Sequence, residues 1–127
     1  MTPLVVVLVA LLGGVGAATR FVVDGWFRGR WAHRLPVATM AINVSGSFLI
    51  GVLAGAFAAG ALPTTGYALA ATGFCGGYTT FSTSAVETVR LAEAGDLRRS
   101  AVNALGTLVP AVAAVALGLW AASTLPG

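Results

Sequence analysis

The sequence predicts an all-α membrane protein of four transmembrane helices. Three observations lead there: an apolar composition, four apolar stretches of spanning length, and basic charge confined to two of the connections between them. The 127 residues are 57% hydrophobic and 9% charged, with a mean hydropathy of +0.91. A soluble domain carries about 25% charged residues, so this chain has too little polar surface to face water. A transmembrane helix needs ~20 residues. Four of them with short connections use up the length, leave no room for a soluble catalytic domain, and make 1–127 a single four-span membrane domain.

Span one is expected over about residues 3–23. Its opening, MTPLVVVLVALLGGVG, has no basic residue before the apolar core, and the apolar character continues to Val23. A secretory signal has a positive start and a shorter core, so this stretch reads as a retained span. A connection carrying Asp24, Arg28, Arg30 and Arg34 follows, with Trp26, Phe27 and Trp31 placed as an interfacial aromatic belt. Span two is expected over about 36–60, ending at the turn-like Leu62-Pro63-Thr64-Thr65-Gly66. Span three is expected over about 67–91 and span four over about 100–122, joined by a connection with Glu93, Asp96, Arg98 and Arg99.

All seven basic residues are arginines lying in or beside the first and third connections. Those connections fall on one side of a four-span protein. The positive-inside rule then puts them in the cytoplasm, with both termini outside the cell membrane. The pI near 10.0 is explained as topology charge, since no basic patch with interleaved aromatics lies away from the membrane boundary to suggest nucleic acid. With one cysteine, Cys75, and one histidine, His33, the chain can build neither an intrachain disulfide nor a zinc cluster. No nucleophile, base and orienting group can be assembled, so an enzyme is not expected.

The informative residues are the polar ones that lipid does not explain. Asn43 sits about seven residues into span two, where an amide needs a partner or water. It reads equally as an interhelical hydrogen bond or as a donor facing a polar pathway. Asn43, Ser47, Gly51 and Gly55 recur every four residues on one helix face, and Gly51 to Gly55 is a GxxxG pattern that lets backbones approach. Four short spans enclose little volume, so function calls for an oligomer. Span three holds Thr72, Thr79, Thr80, Ser82, Thr83 and Ser84, too many for isolated back-bonded hydroxyls. Gly76-Gly77 beside Thr79-Thr80 suggests a helix break at mid-membrane depth, near Gly76 to Thr80. Such a break persists only where its backbone is buried or lines a cavity. Its carbonyls would suit a cation and its amides an anion. Glu87 is within reach of Arg90 and the interface and reads first as an ion pair. Arg20 reads as a snorkelling or paired cation, with anion attraction at a vestibule as the second reading. No carboxylate lies in the inner half of any span, so a small hydrated anion fits this set of donors best.

The stretch Gly73-Phe74-Cys75-Gly76-Gly77-Tyr78-Thr79-Thr80-Phe81-Ser82-Thr83, with Glu87 after it, closely resembles the signature of the CrcB/Fluc fluoride channels. Gly13-Gly14-Val15-Gly16-Ala17-Ala18-Thr19-Arg20 and Asn43-Val44-Ser45-Gly46-Ser47-Phe48-Leu49-Ile50-Gly51 agree with it, so the resemblance covers essentially the whole chain. It implies a channel that lets fluoride leave the cytoplasm passively and lowers its toxicity. It also implies an antiparallel dimer with two pores, each built from both subunits. By resemblance Asn43 would donate to fluoride, Phe81 would offer its ring edge, Ser82 and Thr83 would belong to the polar lining, and Thr107 would stand where the family has a pore-facing serine. The backbone carbonyls of Gly76 and Thr79 would hold a structural sodium ion, Na+, at the dimer centre.

Two positions depart from the family pattern. Ser84 stands where a second phenylalanine is usual, and Asn103 where a tyrosine is common. Together with the one-sided arginines, these suggest a heterodimer with an inverted paralogue rather than a homodimer. The alternative expectation is a small four-span drug or cation exporter of the small multidrug resistance type. That class would need an embedded carboxylate in span one, which has no acid before Asp24. A non-transporting membrane scaffold would leave the Thr/Ser cluster without a reason.

Overall fold

The computed structural model describes residues 2–30 and 37–124. Their architecture is a set of packed helices in the order α1 (Pro3–Arg30), α2 (Val37–Ala58), α3 (Thr64–Tyr67), a π-helical segment (Ala68–Cys75), α4 (Gly76–Tyr78), α5 (Phe81–Glu93) and α6 (Leu97–Ser123). Helices α1, α2 and α6 are long and apolar enough to cross a membrane. The stretch from α3 to α5 is a helical path interrupted at Thr79-Thr80.

Local sequence sets these boundaries. Thr2 Oγ1 accepts from the Val5 amide at 3.2 Å, and Pro3 occupies the first helical position, where its missing N–H costs nothing. Helix α2 stops at Gly60, with φ +78°, where Ala61 N–H bonds the Ala56 carbonyl at 2.9 Å. Helix α5 stops the same way at Gly95, with φ +82°, where Asp96 N–H bonds the Leu91 carbonyl at 2.9 Å. Asp96 then caps α6, accepting from the Arg99 amide at 3.1 Å.

The first connection is shorter than its composition suggests. Asp24, Trp26, Phe27, Arg28 and Arg30 are helical and extend α1 by two turns beyond Val23. Asp24 and Arg28 pair across one turn at 2.7 Å, and the Arg30 guanidinium lies 4.6 Å from the centre of the Trp26 ring. Polar ends of this kind satisfy themselves along the helix. Trp31, His33, Arg34 and Pro36 lie outside the described residues.

The distribution of polarity is the reverse of a soluble protein's. Leu4, Phe21, Val22 and Trp120 are exposed, whereas Thr39, Asn43, Thr80, Ser84, Ser100 and Asn103 are buried. Lipid gives apolar side chains no reason to associate, so packing and hydrogen bonds must do it. Helix α2 packs along α6, and α1 packs along the π-helical segment and α4. Both contacts rest on glycine. A Cβ on Gly51 would strike the Val115 carbonyl, one on Gly118 the Phe48 carbonyl, and one on Gly55 would come within 2.5 Å of Ala122 Cβ.

Gly76-Gly77 does not break the helix. Gly76 has φ −60° and ψ −38°, an ordinary helical pair, and Gly77 continues α4. The missing side chain serves contact instead: a Cβ on Gly77 would meet the Gly13 carbonyl, and one on Gly16 the Phe74 carbonyl. The interruption comes two residues later, where Thr79 (φ −79°, ψ 157°) and Thr80 (φ −148°, ψ 109°) are extended.

Helix α5 is fixed to α6 by polar groups. Asn103 Nδ2 donates to Thr88 Oγ1 at 2.8 Å and to the Ser84 carbonyl at 3.4 Å, while Ser100 Oγ donates to the Thr88 carbonyl at 2.8 Å. Ser84 and Asn103 are therefore neighbours inside one chain.

Gly77→Ala should force α1 and α4 apart, at a cost of about 1–3 kcal/mol for overpacking. Gly14→Ala, where a Cβ meets nothing within 4 Å, should change stability by less than about 0.5 kcal/mol. Thermal unfolding in detergent checks the contrast; equal effects would contradict the packing described.

Candidate functional site

The break at Thr79-Thr80 is built by its neighbours. Leaving the helix at Thr79 frees peptide groups that cannot remain bare at membrane depth. The Asn43 carboxamide takes both polar groups of Thr80: the Thr80 amide donates to Asn43 Oδ1 at 2.8 Å, and Asn43 Nδ2 donates to the Thr80 carbonyl at 2.9 Å. Of the two readings of Asn43, the interhelical hydrogen bond is realised. Its partner is backbone, not a side chain, and Nδ2 retains a second N–H. Gly46, one turn further along α2, leaves room for the break, since a Cβ there would strike Thr79 Cγ2.

The threonines divide the remaining work. Thr79 Oγ1 donates back to the Cys75 carbonyl at 2.8 Å and so closes the end of α4. Thr80 Oγ1 accepts from the Thr83 amide at 3.2 Å and donates to Thr83 Oγ1 at 3.0 Å, an N-cap that starts α5. The negative end of α4 and the positive end of α5 consequently meet at one point.

Beside this point lies a cavity of about 270 Å³ lined by Ala17, Arg20, Phe21, Asp24, Arg28, Thr39, Ile42, Thr80 and Thr83. Arg20 reaches the break itself, with Nη1 donating to the Thr79 carbonyl at 3.2 Å. Glu87 is adjacent on α5. Its Oε2 is 3.6 Å from Arg28 Nη2, and its Oε1 is buried with no hydrogen-bond partner among the described residues. The sequence paired Glu87 with Arg90; the structure pairs it with Arg28 on α1.

Of the residues singled out in the sequence, Arg20 and Thr83 line the cavity, Asn43 holds its floor through Thr80, and Glu87 flanks it. Phe81 is 86% exposed, so its ring stands away from the chain's own packing. The Ser82 side chain lies outside the described residues. Thr107 is on α6, one turn from Asn103, and its Oγ1 and Asn103 Oδ1 are both buried without partners among the described residues.

The two carbonyls expected to hold sodium have different surroundings. The Thr80 amide, which would have bonded the Gly76 carbonyl in a continued helix, is taken by Asn43 instead. The Thr79 oxygen already accepts from a guanidinium. Neutral oxygens at the negative end of a half-helix suit a hard cation. One chain offers only two of the oxygens such an ion needs, and Arg20 competes for one of them.

Sequence reasoning missed Thr39, Asp24 and Arg28. A signal for them existed: Thr39 is one turn before Asn43, and Arg20, Asp24 and Arg28 follow each other at intervals of four. It was obscured because α1 was expected to end at Val23.

Comparison with known proteins matches the sequence to one family. A family model described as CrcB-like protein, Camphor Resistance (CrcB), matches residues 7–119. The chain is 46% identical over 120 residues to a protein of Leifsonia xyli subsp. xyli named fluoride-specific ion channel FluC 1, covering 94% of this chain and 88% of that one. It is 42% identical over 114 residues to fluoride-specific ion channel FluC 2 of Mycobacterium tuberculosis strain H37Rv, covering 90% and 87%. A protein of Syntrophotalea carbinolica named fluoride-specific ion channel FluC is 40% identical over 120 residues, covering 94% and 98%. With a match across nearly its whole length, the chain belongs to the CrcB family.

Proposed function

We infer that this chain is a fluoride-selective ion channel that lets fluoride leave the cytoplasm passively. The observation that carries the reading is the tied break. It sets the positive end of α5, Arg20 and the hydroxyls of Thr80 and Thr83 around one cavity, a set of donors for a small anion. The names of the relatives supply the ion.

Fluoride is small and strongly hydrated, so the path must replace its water with donors at every step. The spare N–H of Asn43 faces the ion, and the exposed ring of Phe81 presents its electropositive edge. Ser82, Thr83 and Thr107 line the track with hydroxyls. The track is completed by a second subunit, because Phe81 has little to pack against in its own chain. The stretch from α3 to α5 is the third of four spans, and the subunits are antiparallel. The backbone oxygens of Gly76 and Thr79 from both subunits hold a structural sodium ion, which is not transported. Bound there, sodium would stabilise the converging negative ends of the two α4 helices.

The protein is a multi-pass protein of the cell membrane, with loops one and three in the cytoplasm and both termini outside. Strong arginine bias fixes one orientation, and Ser84 and Asn103 remove an aromatic pair from the lining. Both features favour a heterodimer with an inverted paralogue over a homodimer. The same pair of substitutions decides whether one or both pores conduct.

Two experiments test this reading. In liposomes holding this chain with its partner, fluoride efflux is expected, and Asn43→Asp should reduce it at least ~10-fold. A carboxylate repels the anion and cannot donate to the Thr80 carbonyl. Unchanged efflux would remove Asn43 from the path, and no wild-type efflux would remove the fluoride reading. Accessibility mapping of tagged loops should find a single orientation for this chain; equal populations of both would exclude the obligatory heterodimer.

A further inference from the structure

Glu87 places a carboxylate beside a cavity through which, on the proposed function, an anion enters. A bare charge there would repel the ion, and its Oε1 is already buried without a partner among the described residues. The groups around it explain how it is tolerated. Arg20, Asp24 and Arg28 occupy successive turns of one face of α1 and all three line the cavity. Arg28 reaches across to α5, with Nη2 3.6 Å from Glu87 Oε2, while its Nε donates to Asp24 Oδ2 at 2.7 Å. Thr39, from α2, lines the same cavity.

An isolated exposed pair of this kind contributes little to stability. Its value here is in placement. The Arg28 side chain is half exposed, at 54%, and carries several rotatable bonds, so an untethered guanidinium would sample the solvent beyond the helix end. Asp24, one turn earlier, holds it on the cavity side.

We propose that Arg28, positioned by Asp24, is a residue that sets the rate of anion entry: it offsets the charge of Glu87, so that the four charged groups sum to zero and the wall does not repel an anion drawn towards Arg20. The inference rests on the fluoride reading and adds a residue to it. The two carboxylates and two guanidiniums form an alternating set in which the only cation touching the break is Arg20 among the described residues. Loss of Arg28 would turn the wall net negative.

The test is initial fluoride uptake into liposomes holding this chain with its partner, at ionic strengths of about 10 mM and about 1 M, where charges are felt over ~30 Å and ~3 Å respectively. Arg28→Gln should slow uptake at least fivefold at low ionic strength and less than twofold at high. Arg28→Lys should retain at least half of the wild-type rate at both. Asp24→Asn should not exceed the wild-type rate, although it makes the wall more positive, because it releases Arg28. Size-exclusion profiles of the four proteins establish that each is folded.

A deficit in Arg28→Gln that is equal at both salt concentrations, or equal in Arg28→Lys, would make Arg28 a structural tie and overturn the proposal. So would uptake unchanged in Arg28→Gln. A rise in Asp24→Asn would overturn the positioning by Asp24. Absence of uptake by the wild-type protein would instead bring down the fluoride reading, and the inference with it.

Discussion

The paired hydrogen bonds between the Asn43 carboxamide and the Thr80 peptide are the constraint on which the rest of this structure depends. A helix interrupted at membrane depth exposes peptide groups, each costing several kcal/mol in hydrocarbon without a partner. Asparagine is suited to the task because its carboxamide presents an acceptor and a donor side by side, and so meets the N–H and the C=O of the one residue Thr80. By taking the Thr80 amide it also deprives the Gly76 carbonyl of its helical partner. One side chain thus ties both polar groups of the residue at the break. Thr80 then turns its own hydroxyl into the cap of α5, so the second half-helix begins where the first has ended.

The framework that holds this point in place is made almost without large apolar side chains. Apolar contact gains little in lipid, and apart from Ile42 the buried positions are accordingly small or polar. Backbone-to-backbone approach replaces side-chain interdigitation: α1 meets α4 through Gly13, Gly16 and Gly77, and α2 meets α6 through Gly51 and Gly118. The helix that runs against α1 is π-helical over Ala68–Cys75, a feature frequent at functional sites. The charged cavity lies between α1, α2 and the start of α5, with α1 supplying Arg20, Asp24 and Arg28 and α2 supplying Thr39.

Much of this could be read from the residues. Membrane character followed from composition, and the GxxxG face of α2 was legible because a repeat of four on a helix has one geometric meaning. The break was placed within its five-residue window, but for a reason that fails. Glycine is a weak helix former, yet in a close-packed bundle its lack of a Cβ is used for contact, so Gly76-Gly77 stays helical. The threonines, with hydroxyls able to bond back to Cys75 and forward to Thr83, mark the true interruption. The extent of α1 was misjudged because Asp24, Arg28 and Arg30 look like a loop in one dimension. On a helix they pair with each other or with Trp26. The meeting of Ser84 and Asn103 was beyond pattern reading, since nineteen residues and a turn separate them and only the packing of α5 on α6 joins them.

The central claim, that Asn43 holds the Thr80 peptide and so maintains the break, is tested most directly by hydrogen exchange at the Thr80 amide. In the wild-type protein in detergent or nanodiscs, that amide should exchange slowly, as a buried and bonded group does. In Asn43→Leu, a change of similar size, its exchange should accelerate by about tenfold or more, the equivalent of ~1.4 kcal/mol, while amides in the middle of α2 and α6 are unaffected. Equal protection at Thr80 with and without Asn43 would contradict the account.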